Sequence, residues 1–538
     1  MASTVKAIAV GIVAVALGLY YSRSQIFSTQ DQETERFSCL PFLPKLFVET
    51  PASISDPAIA QATKDVEQFF SNRFAQGDID SLSVAVVTST GPILERNYGV
   101  VRANESESPL TTSHSSYRIA SVAKLFTALE GLILEQKGVL SWDDPVEKFF
   151  PGFGYRLDGF DPAYKSEPSS LTLFQLASHM SGLGRDWPPG TVKDWPRDLK
   201  GGGPPPTNGH PFASHEALFE AIRNIKLVSP PWSYPAYSNA GTGLLGLALV
   251  AANRAASKSP DKEPKTYAEL LHRDIFHPLG LNGSHFLATR DNKEHIVVPS
   301  VAPEVATLLN PAHPKSLIKK HTLDKWLRPV HDFEEDDWTQ MGFTWEIVKA
   351  KDSNGRARKI YWKLGAMAGY HSAMAFHPGT NYGIVVLMAA RYPDAAKLAY
   401  DAFEMMQPGV DRALSDMAAA LYAGTWSSQD GESAAVVSVR KGTLYAESFV
   451  LNGTDALATL HVSGRVPLRS SGRRDEFRLD TGLGFYNGQR HMGCYPYWNG
   501  QDIWGMRNDA PVNLLYFTGG ESDRALHAPS VDVVMFRA

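Results

Sequence analysis

The hydrophobic pattern of this chain changes near residue 412, and that change sets the fold class. Upstream, helical and strand periods are mixed. Ile59, Val66, Phe69, Phe70 and Phe74 fall near one face and predict a helix over about 56–75. SLSVAVVTSTGPILERNYGV (81–100) reads as two strands joined by a turn at Thr90-Gly91-Pro92. A further helix is expected to begin at Ser121, with Val122, Leu125, Phe126, Leu129 and Ile133 as its buried stripe and Gly138 closing it. A small-residue helix over 240–254 and a buried strand over 381–390 follow. From Tyr422 onward the runs VVSVR, TLYAESFVL, NLLYFT and VDVVMF alternate between Gly and Asn turns, the pattern of an antiparallel barrel or sandwich. The expectation is an α+β domain over 51–412 followed by an all-β domain over 413–538. A length of 538 residues exceeds one ordinary core, and 43% hydrophobic with 20% charged residues is a globular composition.

The first 23 residues stand apart. Lys6 precedes an apolar run from Ala7 to Tyr21, and Arg23 follows it. This reads as a signal peptide or a short signal anchor, being shorter than the roughly 20 residues of a comfortable span. Ala16-Leu17-Gly18 is the nearest thing to a cleavage site, while Tyr20, Tyr21 and Arg23 suit a membrane interface and tip the reading towards an anchor. Residues 24–50, polar and then Pro-rich, read as a linker. The expected location is the secretory pathway, with the chain secreted or attached to a membrane through this single segment. Sequons at Asn104, Asn282 and Asn452 are compatible with glycosylation of a lumenal chain. Two cysteines, Cys39 and Cys494, allow one disulfide or two buried thiols, and the sequence favours neither.

Several function classes drop out. A net charge of -5 without a dense Lys/Arg stripe excludes nucleic acid as the expected partner. No HExxH and no Cys/His cluster points to a metal, and no cofactor is expected. GxSxG is absent, which disfavours a common α/β-hydrolase. Gly241-Thr242-Gly243-Leu244-Leu245-Gly246 matches GxGxxG, with Asp261 twenty residues on. Yet the Pro-broken PPWSYPAYSN before it is no strand, so close helix packing explains it better.

Ser121-Val122-Ala123-Lys124 is Ser-x-x-Lys. At a helix start this spacing sets the lysine one turn on, on the serine's own face, where a neutral amine can take the hydroxyl proton. The helix N-terminus favours the developing negative charge. The tetrapeptide pattern also starts at Ser3, Ser259, Ser316 and Ser438, but only Ser121 heads an amphipathic helix. Tyr237-Ser238-Asn239 offers a phenol that can shuttle a proton between lysines and an amide that can hold a lysine and a carbonyl. Tyr497-Trp498-Asn499 has the same form. Lys363-Leu364-Gly365 lies at a probable strand edge. Gly365 admits a ligand to the backbone, and the N–H of Ala366 with that of Ser121 could form an oxyanion hole.

In this order the blocks resemble the serine β-lactamase and penicillin-binding superfamily, nearest its class C, esterase and transesterase branch. The resemblance runs over roughly 50–410, through YRIASVAKLFTALEGLILEQKGVLSWDDPVEKFFP, LTLFQLASHMSGL, PPWSYPAYSNAGTGLLG, AELLHRDIFHPLGLNGSHF, MGFTWEI and KLGAMAGYHSAMAFHP. YAGTW at 422–426 is similar to the opening of a C-terminal β domain in fungal members. The resemblance implies a β-lactamase/transpeptidase-like fold, an antiparallel sheet flanked by helices beside a helical lobe. It implies Ser121 as nucleophile, Lys124 as its activator, Tyr237 as general base and acid, and Asn239, Lys363, Gly365 and Ala366 at the substrate. Asp143, Asp144 and His179 are expected to be structural, and His371 lies close to the third motif.

One departure matters. The family usually has Thr or Ser between Lys and Gly of the third motif, or His for the Lys, and here Leu364 supplies no hydroxyl. That argues against β-lactams and D-Ala peptides. No counterpart of a class A deacylating glutamate can be placed. The expected function is a serine esterase or amidase with a small-molecule substrate. The alternatives are an acyltransferase of secondary metabolism and a non-catalytic binding protein on the same fold.

Overall fold

The computed structural model describes residues 39–538 except 160, 162–168, 204–212, 288, 290–291, 293, 298–316, 368, 463, 482–492 and 502. The apolar run Ala7–Tyr21, the linker up to residue 38, the Ser-x-x-Lys matches at Ser3 and Ser316, and residues 204–206 of GGGPPP lie outside the described residues. The chain divides into two compact units. One is Phe47–Val410; the other joins Asp411–Ala538 to the described residues up to Leu46.

The first unit is built on an eight-stranded antiparallel sheet. Its strands are β1 (Ile79–Thr88), β2 (Gly91–Gly99), β3 (Pro329–Asp332), β4 (Thr339–Gly342), β5 (Glu346–Lys351), β6 (Ala357–Met367), β7 (Tyr370–His377) and β8 (Tyr382–Ala390), in the spatial order β2-β1-β8-β7-β6-β5-β4-β3. β8 is buried at every position, as expected of a central strand. Helix α1 (Pro57–Phe74) starts where Asp56 accepts from the N–H groups of Ala58 and Ile59, with Pro57 in the first turn. Its buried stripe is Ile59, Ala62, Val66 and Phe70.

The helical lobe centres on α2 (Lys124–Gln136) and α3 (Asn239–Ala256). Leu125, Leu129 and Leu132 of α2 share one core with Leu244, Leu245 and Leu249 of α3. Each such burial contributes roughly 1.5–3 kcal/mol. The GxGxxG look-alike lies inside α3. The Tyr267 ring stands 3.3 Å from where a Gly246 Cβ would sit, so the small residue serves close packing. Residues 184–213, with GGGPPP at 201–206, are rich in Gly and Pro and read from the sequence as a surface loop or a lid; the described residues 184–203 form no helix or strand.

Helix α4 (Ala395–Tyr422) runs through the boundary expected at 412, so the strands of the second unit begin only at Gly424. Apolar spacing alone does not stop that helix. Pro408 lies inside it, and it ends just before Gly424, which adopts φ +140°. The second unit is a nine-stranded antiparallel sheet. The added pairing of Ala434–Arg440 with Thr443–Leu451 closes it into a barrel. Trp426, Phe477 and Phe517 fill it. Cys39 and Cys494 form a disulfide within this unit, and Thr443 Oγ1 donates to Pro41 O at 2.8 Å. Asn104, Asn282 and Asn452 are exposed.

Candidate active site

Ser121 does not open the α-helix directly. It sits in a 3-10 turn, Ala120–Ala123, that runs into α2. The tighter turn still sets Lys124 beside it: Lys124 Nζ donates to Ser121 Oγ at 3.0 Å and to Asn239 Oδ1 at 2.7 Å. Ala120, just before the serine, has φ +45°, a left-handed conformation that a non-glycine residue adopts under constraint. The constraint is visible. Ile119 O accepts from Ser372 Oγ at 3.3 Å, and a Cβ on Gly365 would stand 2.3 Å from Ile119 O. Only glycine lets β6 come this close to the Ser121 turn. Ala366 follows Gly365 at the exposed end of β6, paired with His371.

Tyr237 and Asn239 are held by a second clasp. The segment 179–186 accepts three backbone bonds from the approach to α3: Trp232 N to Met180 O, Ala236 N to His179 O and Asn239 N to Arg185 O, at 2.8–2.9 Å. Ser238 caps α3, accepting from Gly241 N and donating to Gly184 O, both at 2.8 Å. Asn239 Nδ2 donates to Asp186 Oδ1 at 2.8 Å, which turns the amide oxygen towards Lys124.

Three cations surround the Tyr237 ring: Arg185, Lys124 and Lys363 lie 4.8, 5.0 and 5.1 Å from its centroid. Burial pushes the Tyr237 hydroxyl up, but the Lys363 and Lys124 charges outweigh it and hold the phenol below its ordinary value. Burial pulls Lys124 below the ordinary lysine range, and the negative character of Tyr237 opposes this in part. Both groups are thus drawn towards the range in which a proton passes between them.

Lys363, only 1% exposed, is ion-paired with Glu346 of β5, and the Leu364 N–H donates to the other Glu346 oxygen at 3.3 Å. The sequence shows MGFTWEI as a block, but nothing in it singles out Glu346. The β5–β6 register, Glu346 opposite Trp362, is what delivers it. His179 belongs to the core, as expected, but also touches the site. Its Nδ1 accepts from Ser238 N at 3.2 Å and its ring centroid lies 4.6 Å from that of Tyr237. Burial first, then the neighbouring cations, hold it down to about 3, so it is neutral. Asp144 accepts from Ser141 N and Lys148, and so serves its turn. Among the other motif matches, Ser438 lies in a barrel strand and donates to Glu447, and Tyr497 lies in the short helix Tyr495–Asn499. The described residues hold no cluster of His, Cys, Asp or Glu fit for a metal, and no helix long and apolar enough to cross a membrane.

The chain is similar to several known proteins. The beta-lactamase family model matches residues 66–405. Beta-lactamase-like protein str5 of Strobilurus tenacellus is 39% identical over 226 residues, 41% of this chain and 81% of its own length. Beta-lactamase-like protein str6 of the same organism is 32% identical over 314 residues, 51% of this chain and 99% of its own. Among solved structures, the octameric penicillin-binding protein homologue from Pyrococcus abyssi is similar over 88% of this chain and 99% of its own, at 17% identity and a TM-score of 0.48. The chain belongs to the beta-lactamase family, and its function is of the serine hydrolase or acyl-transfer type.

Proposed function

We propose that this protein hydrolyses small-molecule esters through an acyl-enzyme on Ser121. The observation that carries the reading is the buried Lys124 amine, set between the Ser121 hydroxyl and the Asn239 amide and facing Tyr237. In the acylation step Ser121 Oγ bonds to the substrate carbonyl carbon. Its proton passes to Lys124 or the Tyr237 phenolate and then to the departing alkoxide as the ester C–O bond breaks. Water, deprotonated by the same pair, then releases the acid. Gly365 and Ala366 bring β6 to the carbonyl oxygen, and the Ser121 and Ala366 N–H groups take its charge.

The third motif supports esters over carboxylate-bearing substrates. Leu364 offers no hydroxyl, and Lys363 already holds the Glu346 carboxylate. An incoming carboxylate would meet a cation whose charge is balanced and a second anion beside it. Acyl transfer to an alcohol is the second reading. Among the described residues no carboxylate is hydrogen-bonded to Ser121 or Lys124, so release rests on the same Lys–Tyr pair, which treats an alcohol and water alike. The disulfide supports synthesis in an oxidising compartment, in line with the N-terminal apolar run.

The test is a fluorophosphonate probe followed by product analysis. A single adduct on Ser121, absent in Ser121→Ala, is expected. An intact fold without labelling refutes the reading. Wild type and Ser121→Ala performing equally in the cell would instead favour a non-catalytic binding role. Ester turnover with and without added alcohol separates hydrolysis from transfer.

A further inference from the structure

A cavity of about 810 Å³ lies on the reverse of the nucleophile's turn. It is not the catalytic cleft. Ser121, Lys124, Tyr237, Asn239 and Lys363 do not line it, whereas Ile119, Ala123 and Phe126 do. Ala123 and Phe126, three residues apart, share one face of the helical run, and Ser121 with Lys124 occupies another. Its floor is the sheet: Ser83, Ala85 and Val87, alternate residues of β1, with Leu387 and Val385 of β8 paired beside the first two. From Ser83 to Val87 this floor is ~13 Å long at ~3.3 Å per residue, and Pro92, Glu95 and Asn97 of β2 extend the lining sideways.

The lining is mixed: Phe126, Phe276 and Phe286 form an aromatic wall, while Glu95, His114 and His285 contribute polar groups. Phe126 meets Phe276 edge-on at 5.5 Å, and Phe276 stacks on Phe286 at 5.8 Å. The polar groups at the near end of the floor are satisfied among themselves. The Tyr117 hydroxyl lies 3.0 Å from Ser81 Oγ and 2.6 Å from Ser83 Oγ, and Ser83 Oγ donates to Asn97 Oδ1 at 2.7 Å. The two ends differ. Sheet register sets Gly365, Ser372, Leu387 and Ser83 in one row, so the Ser83 end lies level with the catalytic strand and the Val87 end points away from it. Arg118, another lining residue, lies over the Tyr370 ring, and Tyr370 pairs with Ala389, which pairs with Ser81, at the Ser83 end of the floor.

We propose that this cavity binds an extended apolar acyl chain, a free carboxylate meeting Arg118 or a substrate's ester carbonyl staying outside at Ser121, with the tail running along β1 towards Val87. Its volume lies within the roughly 300–1,000 Å³ of small-molecule sites, the aromatic wall and the Ala85–Val87 floor suit a chain, and the Ser83, Tyr117 and Asn97 groups beside them are already hydrogen-bonded. The chain is either that of a free long-chain carboxylate or that of the substrate itself. The second source rests on the ester-hydrolase reading above.

The experiment uses the full chain with dodecanoate as the probe, measured by calorimetry on wild type and Ser121→Ala, together with hydrolysis of p-nitrophenyl acetate and dodecanoate esters. Ala85→Phe fills the floor, and Leu281→Trp fills the cavity from the opposite wall should the first not fold. Wild type and Ser121→Ala are expected to bind dodecanoate alike. A filled variant with an unchanged unfolding midpoint should bind about tenfold more weakly or worse, the equivalent of about two buried methylenes. A matching loss of dodecanoyl-ester turnover with acetate turnover kept assigns the site to the substrate's chain. Weakened binding with both turnovers kept assigns it to a free carboxylate. Dodecanoate binding without turnover of either ester refutes the ester-hydrolase reading and upholds the cavity assignment. No binding by wild type, or equal binding by the folded filled variants, overturns the proposal.

Discussion

Replacing Glu130 by Gln should make this protein more resistant to unfolding, and increasingly so as pH rises. Glu130 lies on α2, two turns beyond Lys124, and is fully buried. Neither of its oxygens meets a partner in ordinary hydrogen-bond geometry among the described residues. Asp274 faces it, anchored by Lys137 at 3.1 Å and Arg273 at 2.7 Å. Those two cations keep Asp274 ionised, so the proton of the pair rests on Glu130. Burial first, then the Asp274 charge, pushes the Glu130 carboxyl up from 4.5 to about 8. The folded chain therefore holds a proton that the unfolded chain releases. The associated stability is fully present below about pH 4.5 and is lost as pH rises through about 8. At ~1.4 kcal/mol per unit the loss is about 3 kcal/mol at pH 7 and about 5 above pH 8. Glutamine keeps the shape and a donor for Asp274 but cannot ionise. Urea unfolding of wild type and Glu130→Gln from pH 5 to pH 9 should therefore give nearly equal stabilities at pH 5, a gap widening to pH 8, and a plateau beyond. Parallel pH profiles, or a variant less stable at pH 9, would refute the assignment of the proton to Glu130.

Four other perturbations test the site and the barrel. Glu346→Gln removes a charge that raises Lys124, so the acid limb of kcat/KM should move to lower pH in a pH–rate profile, and the KM for carboxylate-bearing esters should fall. Gly365→Ala sets a methyl 2.3 Å from Ile119 O and 2.5 Å from Ser372 Oγ. The strand must back away from the nucleophile, and kcat should drop by about 10²–10³ with KM little changed, as for a lost oxyanion donor. Tyr237→Phe should lower kcat/KM by about 10²–10⁴ while Ser121 remains labelled, though slowly, by the fluorophosphonate. Replacing Cys39 and Cys494 by Ser should lower stability by about 2–5 kcal/mol, read as a loss confined to the barrel in hydrogen exchange.

The sequence is most legible where chemistry follows the chain locally. Ser121 and Lys124 are one turn apart on any helix, and Tyr237 and Asn239 flank a capping serine, so their motifs carry their geometry with them. Glu346 and Asp186 escape such reading because their roles arise across strands and loops: Glu346 reaches Lys363 only through the β5–β6 register, and Asp186 reaches Asn239 only through the clasp of 179–186. His179 reads as a core residue and is one, yet the same burial presses it against Tyr237. The strand alternation after Tyr422 shows an antiparallel β domain plainly, while the choice of barrel over sandwich comes from the pairing of Ala434–Arg440 with Thr443–Leu451. The upstream limit is blurred because α4 keeps a helical apolar period through Leu414 and Ala418 up to Tyr422, whose hydroxyl donates to Asp475 at 2.6 Å in the barrel unit.

The joining of residues 39–46 to the barrel has a consequence for synthesis. Cys39 leaves the ribosome 455 residues ahead of Cys494. At roughly 5–20 residues per second the first thiol waits about 20–90 s for its partner. The whole unit Phe47–Val410, with Ser121, is translated in that interval. Capture of Cys39 by a small thiol would therefore leave the Phe47–Val410 unit assembled and the barrel unit without its disulfide, a failure that a pulse-chase with thiol trapping would reveal as a late, single disulfide step.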